Sequence, residues 1–80
     1  MHPNMETYEI WKNGRMFAAF EHGDPSRFGT AFDRETAGKE FDSCVAHWTA
    51  QRVKAQWELR IIIKPNTSRQ VRRETNGGNE

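Results

Sequence analysis

Residues 11–16 read WKNGRM, and this stretch decides the first part of the fold. Asn13 and Gly14 are residue types that readily take the positive φ angles of a type I′ turn. The flanking residues, 7–12 and 15–21, include the aromatic and β-branched side chains that favour strands. The stretch therefore predicts a β-hairpin over residues 7–21 with a two-residue loop.

A two-residue loop fixes which residues face each other across the hairpin. The predicted pairs nearest the loop are Lys12 with Arg15, Trp11 with Met16, and Ile10 with Phe17. Alternation along each strand places Tyr8, Ile10, Phe17 and Ala19 on one face. The residues predicted on the other face are Thr7, Glu9, Trp11, Met16, Ala18 and Phe20.

A helix is predicted after the hairpin, with Asp33 as its N-cap and Phe32 as the apolar residue before the cap. Apolar positions then recur at steps of three and four: Ala37, Phe41, Cys44, Val45, Trp48 and the stem of Arg52. Glycine costs about 1 kcal/mol inside a helix, so a break into two pieces near Gly38 remains open.

A third strand follows, in which Trp57, Leu59, Ile61 and Ile63 point one way until Pro65 ends it. The polar sequence after Pro65 predicts a disordered tail over residues 66–80, although a fourth strand formed by the tail remains open, and residues 1–6 are predicted to be a flexible N-terminus. The chain is thus predicted as one compact α+β domain over residues 7–65. Its three-stranded antiparallel sheet would carry the helix on one face.

Composition restricts the class of protein. The chain has 80 residues and one cysteine, so an intramolecular disulfide is excluded and a reducing compartment is indicated. The N-terminal residues do not resemble a signal peptide, and the aliphatic run at residues 61–63 is too short to span a membrane. We expect a soluble cytoplasmic protein that does not contact membranes.

Charge is unevenly distributed although the net charge is +1. Residues 1–51 carry eight acidic and five basic residues, whereas residues 52–73 carry seven basic residues and one acidic residue. Such asymmetry indicates a contact with phosphate or with an acidic protein. The competing interpretation is a solvated strand edge followed by a soluble tail.

One helix covers only one face of a three-stranded sheet, so the other face is expected to bind a protein. The predicted contact residues are Trp11, Lys12, Arg15, Met16, Phe20, Arg60, Ile62 and Lys64. A secondary contact is expected at the acidic helix start and the basic tail: Asp33, Glu35, Glu40, Asp42, Arg69, Arg72 and Arg73. The alternative is that Phe28 or Phe32 folds back over Trp11 and Met16 and makes them core.

Two other uses of the same face remain open. Aromatic side chains flanked by cations stack unpaired bases, which predicts a single-stranded nucleic-acid binder. A sequence pI of about 8.0 is below the strongly basic range typical of such domains. A homodimer closed by the apolar face would also explain how a small core is stabilised.

Catalysis and metal binding have little support in the sequence. Cys44 and His47 lie three residues apart on the predicted helix, but Cys44 belongs to the apolar stripe, where a free cysteine packs as a small hydrophobe. A metal site would have to combine Cys44 with His2, His22 and His47. The glycines follow neither phosphate-loop spacing. We therefore expect a non-enzymatic protein without cofactor or metal.

In layout, residues 7–65 resemble the small phage and prophage accessory proteins, including anti-CRISPR proteins. The shared format is a compact, cysteine-poor α+β unit without catalytic motifs, and it transfers no functional residues. The resemblance implies stoichiometric inhibition of a host protein or protein–nucleic acid complex by occupying its surface. It also implies that the acidic helix start docks onto basic grooves, although a net charge of +1 disfavours wholesale DNA mimicry.

Overall fold

A computed structural model describes residues 6–63 and 67–76. The elements, in chain order, are β1 (Glu6–Lys12), β2 (Arg15–Glu21), α1 (Arg34–Ala50), β3 (Ala55–Ile63) and β4 (Thr67–Asn76). The strands form one antiparallel sheet in the order β2-β1-β3-β4, and α1 packs against β1, β3 and β4. The predicted α+β class, with one helix on one face of an antiparallel sheet, is confirmed.

The hairpin turn is the predicted one. Asn13 and Gly14 have φ angles of 54° and 79°. Asn13 also ties the turn to β3, because its backbone N–H donates to the Gln56 carbonyl at 2.7 Å. Its side-chain oxygen accepts the Gln56 N–H at 3.0 Å. The hairpin tip is therefore anchored to the start of β3.

A β-bulge at Phe17 changes the hairpin register. Lys12 pairs with Arg15 and Trp11 with Met16 as predicted, but Ile10 then pairs with Ala18 and Tyr8 with Phe20. A bulge sets two residues of one strand against one of its partner, which resets the alternation. The predicted Ile10–Phe17 pair and the predicted places of Ala18 and Phe20 on the uncovered face and of Ala19 on the helix side are therefore wrong.

The helix runs without interruption through Gly38, so the alternative of a break there is wrong. Asp33 is the N-cap, and its carboxylate accepts the Thr36 N–H at 2.8 Å. Ala37 and Phe41 are buried, and Cys44, Val45 and Trp48 pack against the core as the apolar stripe predicts. The cap and this packed stripe outweigh the propensity cost of one glycine.

The helix ends in a Schellman motif that places Arg52 outside the apolar stripe. The Arg52 N–H donates to the Thr49 carbonyl at 2.9 Å, and the Val53 N–H donates to the Trp48 carbonyl at 3.0 Å. Arg52 has a φ of 62°, a conformation that glycine adopts without strain and that other residues adopt at a cost.

We expect Arg52→Gly to raise the free energy of unfolding by about 1 kcal/mol, because it relieves this left-handed strain. Urea denaturation followed by circular dichroism measures the change. Arg52→Ala is the matched control, since it removes the side chain but keeps the Cβ atom. Equal stability of the two variants would contradict the expected backbone effect.

Part of the predicted disordered tail forms a fourth strand, which is the alternative that the sequence left open. Residues 67–76 form β4, which pairs with β3 from Ala55–Asn76 to Ile63–Thr67. The Arg72 guanidinium donates to the Asp42 carboxylate at 2.7 Å and lies 4.9 Å from the centre of the Phe41 ring. A polar segment therefore gains backbone pairing and a helix contact without an apolar stripe of its own. The other predicted tail residues, and residues 1–5, lie outside the described residues.

The core lies between α1 and one face of the sheet. Its buried apolar residues are Tyr8, Ile10, Phe32, Ala37, Phe41, Ala55, Trp57, Leu59 and Ile61. Glu6 begins β1 and is 8% exposed, so its predicted place in a flexible N-terminus is wrong. Over the described part of the chain, no helix has the length and apolar character needed to cross a membrane.

Candidate functional site

The sheet face opposite α1 is called the open face. Its residues alternate with the buried ones, and the registers Thr7–Ile62, Glu9–Arg60 and Trp11–Glu58 place them side by side. Each is partly or fully exposed. The open face comprises Thr7, Glu9, Trp11, Met16, Ala19, Glu21, Glu58, Arg60 and Ile62.

Trp11 is held in a fixed orientation on the open face. Its indole N–H donates to the Glu9 carboxylate at 2.9 Å. The Arg60 guanidinium lies 4.1 Å from the centre of the Trp11 ring and donates to Glu58 at 3.1 Å. A cation over an aromatic face and a hydrogen bond at the ring edge together restrict both χ angles of the tryptophan. The indole therefore has a restricted orientation in the free chain.

Two apolar side chains share the open face with this tryptophan. Met16, opposite Trp11 across the hairpin, is 55% exposed, and Ile62 is partly exposed on β3. Phe32, one proposed cover for these residues, instead stacks on Phe20 at 4.4 Å on the helix side of the sheet. Phe28, the other proposed cover, lies against Arg27 and is 37% exposed. The structure thus places Trp11, Met16 and Arg60 together, and Ile62 lies further along the same face, opposite Thr7.

The other predicted contact residues lie elsewhere. The Lys12 ammonium is 4.0 Å from the centre of the Trp48 ring, on the helix side of the sheet. Phe20 is also on that side, beneath Phe32. Arg15 is exposed at the hairpin tip. Lys64 lies outside the described residues.

The acidic residues predicted as a secondary contact are largely engaged within the chain. Glu40 accepts from Arg27 at 3.0 Å, and Asp42 accepts from Arg72 at 2.7 Å. The backbone N–H of Thr36 bonds to Asp33 and lowers the pKa of that carboxyl. Glu35 is exposed in the first helical turn. The helix start therefore does not present four free carboxylates to a basic groove.

Of the predicted tail cations, Arg72 is directed toward α1 through its contact with Asp42. The register places Arg73 opposite Glu58, at the margin of the open face. The side chain of Arg69 lies outside the described part of the structure. The basic segment is thus divided between two faces of the sheet.

A polar cluster that sequence reasoning missed joins the start of β1 to the start of α1. The Glu6 carboxylate accepts from Arg34 at 2.7 Å and from the Tyr8 hydroxyl at 2.9 Å. The same hydroxyl lies 2.8 Å from Nδ1 of His22. The only sequence signal was the i, i+2 spacing of Glu6 and Tyr8, which places both on one strand face.

The cluster shifts the pKa values of its members. The Arg34 guanidinium, helped by the Tyr8 hydroxyl, holds the pKa of the Glu6 carboxyl below its usual value against the opposing effect of burial. Burial and the neighbouring Glu6 carboxylate raise the pKa of the Tyr8 hydroxyl. Glu6 therefore stays charged and Tyr8 stays protonated. Both states suit a structural role in which the cluster holds the start of β1 against the start of α1.

The Cys44 and His47 pair is not arranged for thiolate chemistry. The thiol donates to Glu40 at 3.9 Å, and the His47 ring is perpendicular to Trp48 with ring centres 5.4 Å apart. Burial, together with the Glu40 charge, raises the pKa of the Cys44 thiol. A raised pKa disfavours the nucleophilic thiolate. Among residues 6–63 and 67–76, no three His, Cys, Asp or Glu side chains group to hold a metal ion.

Comparison with known protein families, with curated proteins and with solved structures finds no match. The functional assignment therefore rests on the chemistry of the open face itself.

Proposed function

We propose that this chain is a small non-enzymatic protein-binding module that docks through its open face. The main observation behind this proposal is the position of Trp11. Its side chain lies on the uncovered face of the sheet, and Glu9 and Arg60 fix its orientation. Tryptophan and arginine are the residue types most enriched at interface hot spots. Fixing them before binding reduces the entropy lost on association.

The charges around Trp11 favour a protein partner over a nucleic acid. Glu9 and Glu58 lie on the same face as Arg60, and Arg60 is already paired with Glu58 at 3.1 Å. Nucleic-acid binding gains most of its affinity from unpaired cations that replace counterions on phosphates. A paired arginine beside an aromatic anchor instead suits the centre of a protein interface, where aromatic residues and arginine are enriched.

A narrower proposal concerns the partner. The resemblance to phage accessory proteins supports a host nucleic-acid-handling complex as the partner. The open face would then bind to and cover a surface of that complex. Inhibition would then be stoichiometric and would require no chemistry by this chain. A titration of such a complex should reach full inhibition near one equivalent of the wild-type protein. Trp11→Ala should fail to inhibit at the same ratio.

Affinity capture from lysate of the source cells tests the proposed function. Tagged wild type and Trp11→Ala are compared, each with and without nuclease. Phe28→Ala is the matched control, because Phe28 is exposed on the connection before α1. We expect a protein that wild type and Phe28→Ala capture, that Trp11→Ala does not, and that nuclease does not release.

Two results would overturn the proposal. If nuclease treatment abolishes capture, the result would indicate that the protein binds single-stranded nucleic acid through the same tryptophan. A melting temperature that rises with protein concentration in wild type, but not in Trp11→Ala, would show instead that the open face closes a homodimer.

A further inference from the structure

The two edges of the sheet differ in chemistry. Within residues 6–63 and 67–76, β2 and β4 each have one neighbour in the sheet. Residues 16–20 of β2 read MFAAF and carry no charge, whereas β4 contains four charged residues. Charged edges resist pairing with another chain, and uncharged edges rich in strand-forming residues permit it. The outer edge of β2 is therefore the edge suited to accept an additional strand.

Backbone hydrogen bonds show which groups of β2 face outward. The His22 N–H donates to the Glu6 carbonyl at 2.9 Å, toward β1. The preceding N–H, of Glu21, donates to the Asp24 carboxylate at 3.2 Å, away from β1. Because N–H directions alternate along a strand, the Ala19 N–H faces the outer edge as well. Asp24 thus caps the end of this edge, and residues 16–20 have no strand neighbour on that side among the residues that the structure describes.

A groove runs beside this edge on the helix side. Its walls come from β2, from the second half of α1 and from the connection between them, and they enclose about 270 Å³. The lining residues are Phe17, Arg27, Ser43, Cys44, His47 and Trp48.

The bulge in β2 shapes the groove. It directs Phe17 toward α1, where its ring centre is 6.4 Å from that of Trp48 and 5.5 Å from that of Trp57. Phe17 nevertheless stays 44% exposed. Bulges characteristically re-aim a side chain in this way. The result is an aromatic depression, beside a free strand edge, that accommodates one large apolar side chain.

The hairpin end of the groove is positively charged. Lys12 and Arg15 flank the turn, and the Asn13–Gln56 hydrogen bonds bring the segment containing Arg52 and Lys54 to the same end of the sheet. Across the described ranges, none of these four cations forms a salt bridge. A ligand that follows the β2 edge toward the turn is therefore favoured if it carries carboxylates there.

We propose that the outer edge of β2 binds an extended acidic segment of a partner protein by strand addition, with one large apolar side chain seated in the groove against Phe17 and Trp48. Main-chain hydrogen bonds provide affinity in this mode, and the groove selects the side chain. This contact uses the sheet edge and the helix side, so it goes beyond the open-face docking proposed above.

A phage-displayed library of random nine-residue peptides tests the inference with the full chain as bait. We expect enriched peptides to share one aromatic or large aliphatic residue flanked by Asp or Glu. Synthetic copies, labelled with fluorescein, are then titrated by fluorescence polarisation. Ala19→Pro, which removes an outward N–H, should weaken binding by about tenfold. The control Ala19→Thr keeps that N–H and should bind like wild type.

Three further variants make the test decisive. Ser43→Tyr fills the groove and should abolish binding even if Ala19→Pro disturbs the hairpin. Arg15→Glu should weaken binding of the acidic peptides and reduce its dependence on salt. Trp11→Ala, on the open face, should leave peptide affinity unchanged.

An unenriched library would overturn the inference. The inference would also be overturned if the enriched peptides bound Ser43→Tyr but not Trp11→Ala. That result would support the open face as the docking surface. The two proposals can therefore fail separately.

Discussion

Replacing Trp57 by alanine is expected to lower the free energy of unfolding by about 3–5 kcal/mol, the usual cost of truncating a buried tryptophan. Trp57 is fully buried, and Phe17 packs edge-on against it with ring centres 5.5 Å apart. A domain of this size rarely gains more than about 3–5 kcal/mol from its core. The variant should therefore be largely unfolded at room temperature.

Urea denaturation monitored by circular dichroism measures this loss. If the alanine variant does not fold, Trp57→Phe is measured in its place, and we expect it to lose less stability. Trp11→Ala is the matched control, because it removes the same side chain from the open face of the neighbouring strand. We expect Trp11→Ala to cost less than about 1 kcal/mol, as most surface substitutions do. Equal losses at Trp11 and Trp57 would show that the open face is part of the core.

Replacing Tyr8 by phenylalanine is expected to cost about 1.5–3 kcal/mol at neutral pH, because it removes a hydrogen bond to a charged group. The hydroxyl donates to Glu6 at 2.9 Å and contacts His22, while the ring remains in place against Phe32. The loss is therefore one of polar contacts and leaves the packing of the ring unchanged. A double-mutant cycle with Glu6→Gln isolates the Tyr8–Glu6 coupling.

The cost of Tyr8→Phe should fall in acid. The hydrogen bonds from Arg34 and Tyr8 lower the pKa of Glu6 in the folded chain, whereas a glutamate in an unfolded chain has a pKa of about 4.3. The stabilisation is thus complete above that pH and is lost as pH falls through the lower folded pKa. The difference between the two proteins, measured from unfolding curves at pH 7, 5 and 3, should be smallest at the lowest pH. A difference that is independent of pH would contradict the role of the Glu6 charge.

Features governed by local rules were predictable from the sequence. The turn at Asn13 and Gly14 needs positive φ angles, which these residue types tolerate. Asp33 precedes an apolar stripe at helical spacing and caps the helix. Strict alternation correctly sorted β1 and β3 into a buried and an open side, which places Trp11 and Arg60 together.

Features that depend on tertiary contacts were not predictable in this way. No residue type marks the bulge at Phe17, which moves Phe20 to the helix side of the sheet. The strand β4 has a polar sequence, and its order comes from pairing with β3 and from the contact of Arg72 with Asp42. The cluster around Glu6 joins residues that are up to 28 positions apart in the chain.

The affinity of the captured partner for wild type and for Trp11→Ala tests most directly whether the open face is the docking surface. Isothermal titration calorimetry on the purified partner should show binding weakened by about thirtyfold or more, which corresponds to the 2 kcal/mol that defines a hot spot. The unfolding free energy of Trp11→Ala should stay close to that of wild type. Unchanged affinity in a folded Trp11→Ala variant would contradict docking through the open face.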